Sequence, residues 1–184
     1  MGITIGILSI GNVDPTNLVP IKDGLPKIFP KTATQIVDDK LPLSPNALDK
    51  QRGQYRSNQI LAAIQVYAQK TSLCRVLGVL DEDIFVPDLN FVFGEATFPG
   101  NSALISLRRL RPEFHREPPN LELFAERAVK EAVHEVGHTL GLKHCHRLSC
   151  VMHFSNSIFD TDKKQRVFCD ECFMQAAIAI DCLK

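Results

Sequence analysis

The first apolar stretch, ITIGILSI over residues 3–10, is short, β-branched and set beside glycine, a pattern that predicts a strand buried on both faces. The next stretch, residues 11–31, carries four prolines and reads as a connection wrapped around the surface. TATQIV at 32–37 predicts a second strand, and residues 38–56 read as loop. From Ser57 to Gln69, apolar residues at Ile60, Leu61, Ile64, Tyr67 and Ala68 follow a helical period, with Ser57 in place to cap it. CRVLGVL, NFVFGEATF and SALISLRRL then give a third, fourth and fifth strand. This order predicts a mixed five-stranded sheet, because the helix between the second and third strands permits a crossover and the later connections are short.

A second helix begins after Asn120, which follows two prolines and suits an N-cap, with Glu122 in the first turn facing the positive helix end. Winding it places Leu121, Ala125, Ala128, Val129, Ala132, Val133, Val136 and Leu140 on one face, the expected core side. His134 and His138 fall nearly opposite, one turn apart, so both can offer a nitrogen to one ion. Glu135 stands beside that ion rather than on it. A solvated histidine pair is the plainer reading of such spacing. The sequence continues, however, as HExxHxxGxxH, and the added Gly141 and His144 make coincidence a few hundredfold rarer, roughly one chance in tens of thousands.

Gly141 can take the positive φ that ends a helix and turns the chain, bringing His144 back toward the pair. Three imidazoles leave a fourth tetrahedral position for water, the mark of a catalytic zinc, and Glu135 can accept that water's proton as it attacks a carbonyl.

Residues 134–150 hold four of the six histidines and two of the six cysteines. Cys145 follows His144 directly, and neighbours in extended chain point to opposite sides, so the two should serve different ions. Cys145 and Cys150, followed by Cys169 and Cys172, suit a closed four-thiolate structural zinc, with disulfides or buried free thiols as the alternative. Such a site would tie the chain after His144 to a last helix at 171–183, a segment too short for a core of its own. Cys74 and Cys182 are left over and read as small buried hydrophobes. His115, His146 and His153 carry no assigned ligand role.

The chain has 184 residues, enough for one domain with a sizeable core. With 21 basic against 21 acidic residues the formal charge is zero, which removes the electrostatic footprint of a nucleic-acid binder. The start lacks a basic n-region and no apolar run is long enough for a membrane span, so the expectation is a cytoplasmic monomer with no membrane partner.

HExxHxxGxxH, continued here as HCxxxxCxM and then CxxC, resembles the archaemetzincins within the metzincin clan of zinc peptidases. The specific match covers residues 134–172. The resemblance implies an α/β (α+β) metzincin-like fold: a twisted mixed sheet, a backing helix, an active-site helix and a small C-terminal zinc-stabilised subdomain. One catalytic domain would span 1–184, with an upper part at 1–141 and a lower part at 142–184. Two zinc ions per chain are implied: a catalytic one on His134, His138 and His144 with Glu135 as general base and acid, and a structural one on the four cysteines. Met152 becomes the methionine of the turn beneath the metal, a role compatible with plain core packing. SALISLRRL becomes the edge strand above the cleft, able to accept a peptide as an added strand.

The implied activity is hydrolysis of short peptides or an aminopeptidase action, with Glu95, Asp81 and Glu113 as open candidates to receive a terminal ammonium. The tyrosine that some metzincins carry after this turn is missing, since Tyr55 and Tyr67 both lie in the first half. Competing readings are a zinc-stabilised peptide- or protein-binding module with little turnover, against which Glu135 argues, and a zinc-ribbon nucleic-acid binder, against which the zero net charge argues.

Overall fold

ITIGILSI forms β1 (Ile3–Ile10), an interior strand of a five-stranded sheet in the computed structural model, which describes residues 2–183. The strand order is β2-β1-β5-β8-β7, with β2 at Thr32–Leu41, β5 at Arg75–Leu80, β7 at Gly94–Ala96 and β8 at Ser102–Ser106. All neighbours run parallel except β7, which is antiparallel to β8, so the sheet is mixed as expected. Successive side chains of an interior strand serve opposite faces. Leu77 and Val79 accordingly join one buried cluster with helices α1 (Leu18–Ile28) and α3 (Leu121–Thr139), while Val76 and Leu80 join another with α2 (Ser57–Ala68). A small second sheet combines β3 (Leu48–Asp49), β4 (Gln54–Arg56) and β6 (Ile84–Phe85) in a stretch read largely as loop.

Helix α1 overturns the reading of residues 11–31 as a surface connection. Leu18, Ile21, Leu25 and Ile28 recur at helical spacing and are buried. Pro20 falls in the first turn, where its missing N–H is not needed. Pro26 lies farther in and cannot donate to the Lys22 carbonyl, but the Thr34 hydroxyl of β2 donates to that oxygen at 2.6 Å.

Three smaller expectations also change. Ser57 is the first helical residue rather than the cap, and its hydroxyl donates to the Phe85 carbonyl. The exposed Leu121 leaves the core face of α3, the helix being buried instead from Phe124 onward. The edge strand is β7, not SALISLRRL: Ser102–Ser106 is buried at every position because it pairs on both sides, and Arg108–Leu110 leaves the strand as a short 3-10 turn.

After α3 the chain contributes α4 (Ile158–Lys163) and α5 (Asp170–Asp181). Leu142, Val151, Met152, Ile158, Ala176 and Ile180 join the cluster that holds β1, α1 and α3, so this segment has apolar anchorage that its length did not promise. A buried polar seam adds to it. Arg127 makes a bidentate bond to Asp162, both distances 2.7 Å, and donates to the Leu110 carbonyl. The Lys164 ammonium, fully buried, lies 3.0 Å from a buried Glu131 oxygen. Its angle does not suit a hydrogen bond, so the attraction is Coulombic, while Thr161 donates to the same oxygen at 3.0 Å. Cys74 is half-buried, whereas Cys182 is exposed at the end of α5 rather than packed in a core. Among the described residues no helix is long and apolar enough to cross a membrane.

Candidate active site

Asn120 caps α3 as expected, its side chain accepting from the Leu123 amide at 3.0 Å. After nineteen residues the helix stops at a glycine turn: Gly141 has φ +87°, its amide donates to the His138 carbonyl, and the Leu142 amide donates to the Gly137 carbonyl. This two-bond C-cap needs a left-handed residue, which glycine supplies without strain. The chain reverses there and returns His144 to the helix face that carries His134 and His138.

The ligand nitrogens of His134, His138 and His144 all lie within 4.8 Å of one another. His134 directs Nδ1 at the Val151 carbonyl (2.8 Å) and His138 directs Nδ1 at the Leu142 carbonyl (2.7 Å). A carbonyl only accepts, so each Nδ1 carries the proton and each Nε2 is bare. The two Nε2 atoms stand 3.1 Å apart. Two lone pairs at that distance repel unless a cation lies between them, and about 3.3 Å is the separation set by two zinc–nitrogen bonds in a tetrahedron. Burial lowers the pKa of all three rings, most at His134, where the Lys164 ammonium and the His138 ring add to the effect. They are neutral at pH 7, the state that ligates.

Glu135 is buried beside this trio, and burial together with the Glu131 and Glu95 charges pushes its carboxyl well above the ordinary range, with Lys164 offsetting part. Met152 is fully buried beneath the helix. A Cβ on Gly137, the residue before His138, would stand 2.5 Å from its sulfur, so the helix and the 150–153 turn meet at van der Waals distance. The carbonyl preceding Met152 is the one that orients His134.

Cys145 turns away from the histidines, as the adjacency argument required, and its sulfur joins those of Cys150, Cys169 and Cys172 within 4.8 Å. The Cys145 and Cys169 sulfurs are 3.9 Å apart, too far for a disulfide and close to the roughly 3.8 Å edge of a tetrahedral four-thiolate zinc. All six cysteines are free thiols. Burial and the neighbouring sulfurs raise the Cys172 thiol strongly, so the set lacks a counter-charge that a divalent cation would provide. Two donor groups therefore fit metal, one with three nitrogens and one with four sulfurs.

A cleft opens over the histidines, lined by β7 on one side and by Phe154, Ser155 and Asn156 on the other. Of the three acids considered for an ammonium, Glu95 lines it. Asp81 is held by Arg111 outside it, and Glu113 is exposed outside it. Ser155 and Glu131 were not singled out by their sequence surroundings, and no local spacing marks them. His115 and His153, which carried no assigned ligand role, bond the Arg109 and Cys145 carbonyls.

The family model described as Peptidase family M54 matches residues 23–177. Curated relatives include the archaemetzincin of Pyrococcus furiosus, 40% identical over 90% of this chain and 88% of the relative, and that of Pyrococcus abyssi, 41% identical over 94% and 93%. Among solved structures, the archaemetzincin of Archaeoglobus fulgidus superposes with a TM-score of 0.80 at 38% identity over 94% of this chain and 99% of its own. That of Methanopyrus kandleri gives 0.84 at 32% identity over 98% and 96%.

Proposed function

Since the chain belongs to peptidase family M54, the archaemetzincin family of zinc metallopeptidases, we propose that His134, His138 and His144 hold its catalytic zinc and that Glu135 is its general base and acid. Bound there, zinc supplies Lewis acidity that polarises a substrate carbonyl and acidifies the attacking water. Glu135 takes the proton that water loses and passes it to the departing amine nitrogen. A carboxyl held above its ordinary pKa is suited to carrying a proton between the two events. The four cysteines hold a second, structural zinc, making two per chain, and Met152 packs beneath the catalytic one. The site sits at the junction of an upper part, 1–141, and a lower part, 142–184.

Substrate binds as an extended strand along β7, the sheet's edge, whose outward backbone groups align the scissile bond over the histidines. Short peptides or chain ends are the substrates that suit so small a platform. The observation that carries the reading is the pair of bare Nε2 atoms facing each other at 3.1 Å with Glu135 alongside. A peptide-library cleavage assay on zinc-loaded protein beside Glu135→Ala tests it. Cleavage present in the first and lost in the second supports catalysis; binding of peptides with no cleavage in either supports a binding module instead.

A further inference from the structure

The ladder between β7 and β8 sets where a bound peptide can lie. The Thr97 amide donates to the Ser102 carbonyl at 3.0 Å and the Ser106 amide to the Phe93 carbonyl at 2.8 Å, while Gly94, Glu95 and Ala96 pair with Ile105, Leu104 and Ala103. Hydrogen-bonded and non-bonded pairs alternate along an antiparallel ladder. Phe93, Glu95 and Thr97 therefore direct their backbone groups at β8, and Gly94 and Ala96 turn theirs to the open edge. Residues that pair across two strands put their side chains on one face. For Gly94 and Ala96 that is the α3 face, since a Cβ on Gly94 would meet Glu135 and Ala96 packs against the cluster that includes α3. A substrate residue opposite Gly94 is thus beside the acid, and the one opposite Ala96 follows on the same face.

On that face the cleft does not end at the histidines. A second hollow is lined by Ala96, Phe98, His138, Lys143 and His144. Ala96, His138 and His144 also line the main cleft, so the two are continuous. Phe98 is 49% exposed, and its ring stands edge-on to that of His138 with centroids 6.1 Å apart. A lone exposed phenylalanine is ordinary on a protein surface. This one is held in place. The Gly100 amide of the same turn donates to the Thr139 carbonyl at the end of α3 at 3.0 Å, and the Ser102 amide donates to the Thr97 hydroxyl at 3.2 Å. A fixed aromatic ring left in water beside the histidines is suited to packing against another apolar group. Lys143 brings a charge to the hollow; it is exposed and, among the described residues, has no ion pair or hydrogen bond. A hydrated ammonium attracts an acid only weakly, while its stem adds apolar surface and its charge repels a cation. Contact with Phe98 therefore decides what the hollow takes.

We infer that this hollow is a substrate subsite, with Phe98 its specificity-determining residue, that takes a bulky apolar side chain from the residue pairing with Ala96. The inference rests on the peptidase reading and on binding along β7. It adds a substrate class: peptides with a residue like phenylalanine or leucine at one fixed position near the cleaved bond and no basic residue there. Phe98 touches substrate and takes no part in proton transfer; that remains the work of Glu135.

Fluorogenic peptides that carry phenylalanine, leucine, alanine, glutamate or lysine in turn at each position flanking the cleaved bond test it. On zinc-loaded wild type, one position should favour phenylalanine and leucine over alanine by about tenfold or more in kcat/KM, with lysine the poorest. Phe98→Ala should bring the phenylalanine-to-alanine ratio at that position close to one and Phe98→Leu should keep most of it, with preferences elsewhere and zinc content as in wild type. An undiminished ratio in Phe98→Ala overturns the inference, as does a glutamate preference at that position that Lys143→Ala removes. A uniform fall across all peptides would make Phe98 a structural residue and overturn it too. A second readout needs no turnover. The chain has no tryptophan, so Phe98→Trp combined with Glu135→Ala places a single fluorophore in the hollow. Peptides bearing phenylalanine should shift its emission to the blue and shield it from acrylamide at about tenfold lower concentration than their alanine counterparts, and an equal response to both overturns the inference. Failure of the peptidase reading looks different, because no peptide would then be cut in a Glu135-dependent way while the tryptophan titration would still report on the hollow.

Discussion

Gly94 of β7 lies against Glu135 of α3 so closely that a Cβ on the glycine would stand 2.5 Å from the glutamate Cγ and 2.7 Å from its Oε1. The edge strand and the acid that is to move a proton are thus packed as one unit. The Leu104 carbonyl of β8 would be equally close, at 2.5 Å, so the clash cannot be relieved by the side chain alone. Gly94→Ala should therefore cost about 1–3 kcal/mol of stability and, by displacing Glu135, lower kcat by about a hundredfold. Denaturant unfolding and steady-state kinetics measure the two effects. A variant as active and as stable as wild type would show that strand and helix are not coupled in this way.

The buried pair of Lys164 and Glu131 lies one helical turn from Glu135, with side chains 0% and 3% exposed. Removing one partner strands the other. Lys164→Met should lower stability by about 3–5 kcal/mol, whereas Lys164→Met combined with Glu131→Leu should recover much of that loss. Equal destabilisation by the single and the double replacement would mean that packing, not charge, is what Lys164 contributes.

Cys169 and Cys172 bracket the start of α5, while Ala176 and Ile180 of the same helix are anchored in the main core. Replacing both cysteines by serine should remove one equivalent of zinc, leave the histidine-bound equivalent in place and lower the melting temperature by many degrees. Metal analysis with calorimetry reads all three. Two zinc equivalents in the serine variant would refute the four-thiolate site.

The raised Glu135 carboxyl has a pH signature in metal-free protein. A folded-state pKa above the unfolded value means the folded chain binds the extra proton. Stability from this group is complete below the unfolded pKa, about 4.3, and is lost as pH rises through the folded value. Glu135→Gln keeps the shape without the charge. Under chelator its melting temperature should exceed that of wild type by a margin that widens from about pH 4.5 toward neutrality. A margin that is constant or narrows with pH would contradict the desolvated carboxyl.

The elements that gather the three histidines were legible because local rules and tertiary structure agree there. Asn120 caps, Gly141 turns with positive φ, and the spacing of His134, His138 and Glu135 on one helix is fixed by its 100° step. What was missed needed distant partners. Helix α1 was hidden by Pro26, whose lost hydrogen bond is replaced by Thr34 from another strand. The edge strand was misassigned although a signal existed: Ala103–Leu104–Ile105 at the centre of SALIS is an unbroken apolar run, as an interior strand should have, while GEA is half-exposed and polar at its centre. Lys164 and Glu131 could not be read as buried, since charged residues are ordinarily outside and nothing in their spacing shows that they meet.

Anomalous diffraction at the zinc edge on crystals of the protein as purified addresses the coordination most directly. Two peaks per chain are expected, one within bonding distance of Nε2 of both His134 and His138 and of a His144 ring nitrogen, the other among the sulfurs of Cys145, Cys150, Cys169 and Cys172. A histidine trio with no peak after zinc soaking, with His144 turned outward or a cysteine sulfur in its place, would contradict the proposed catalytic centre.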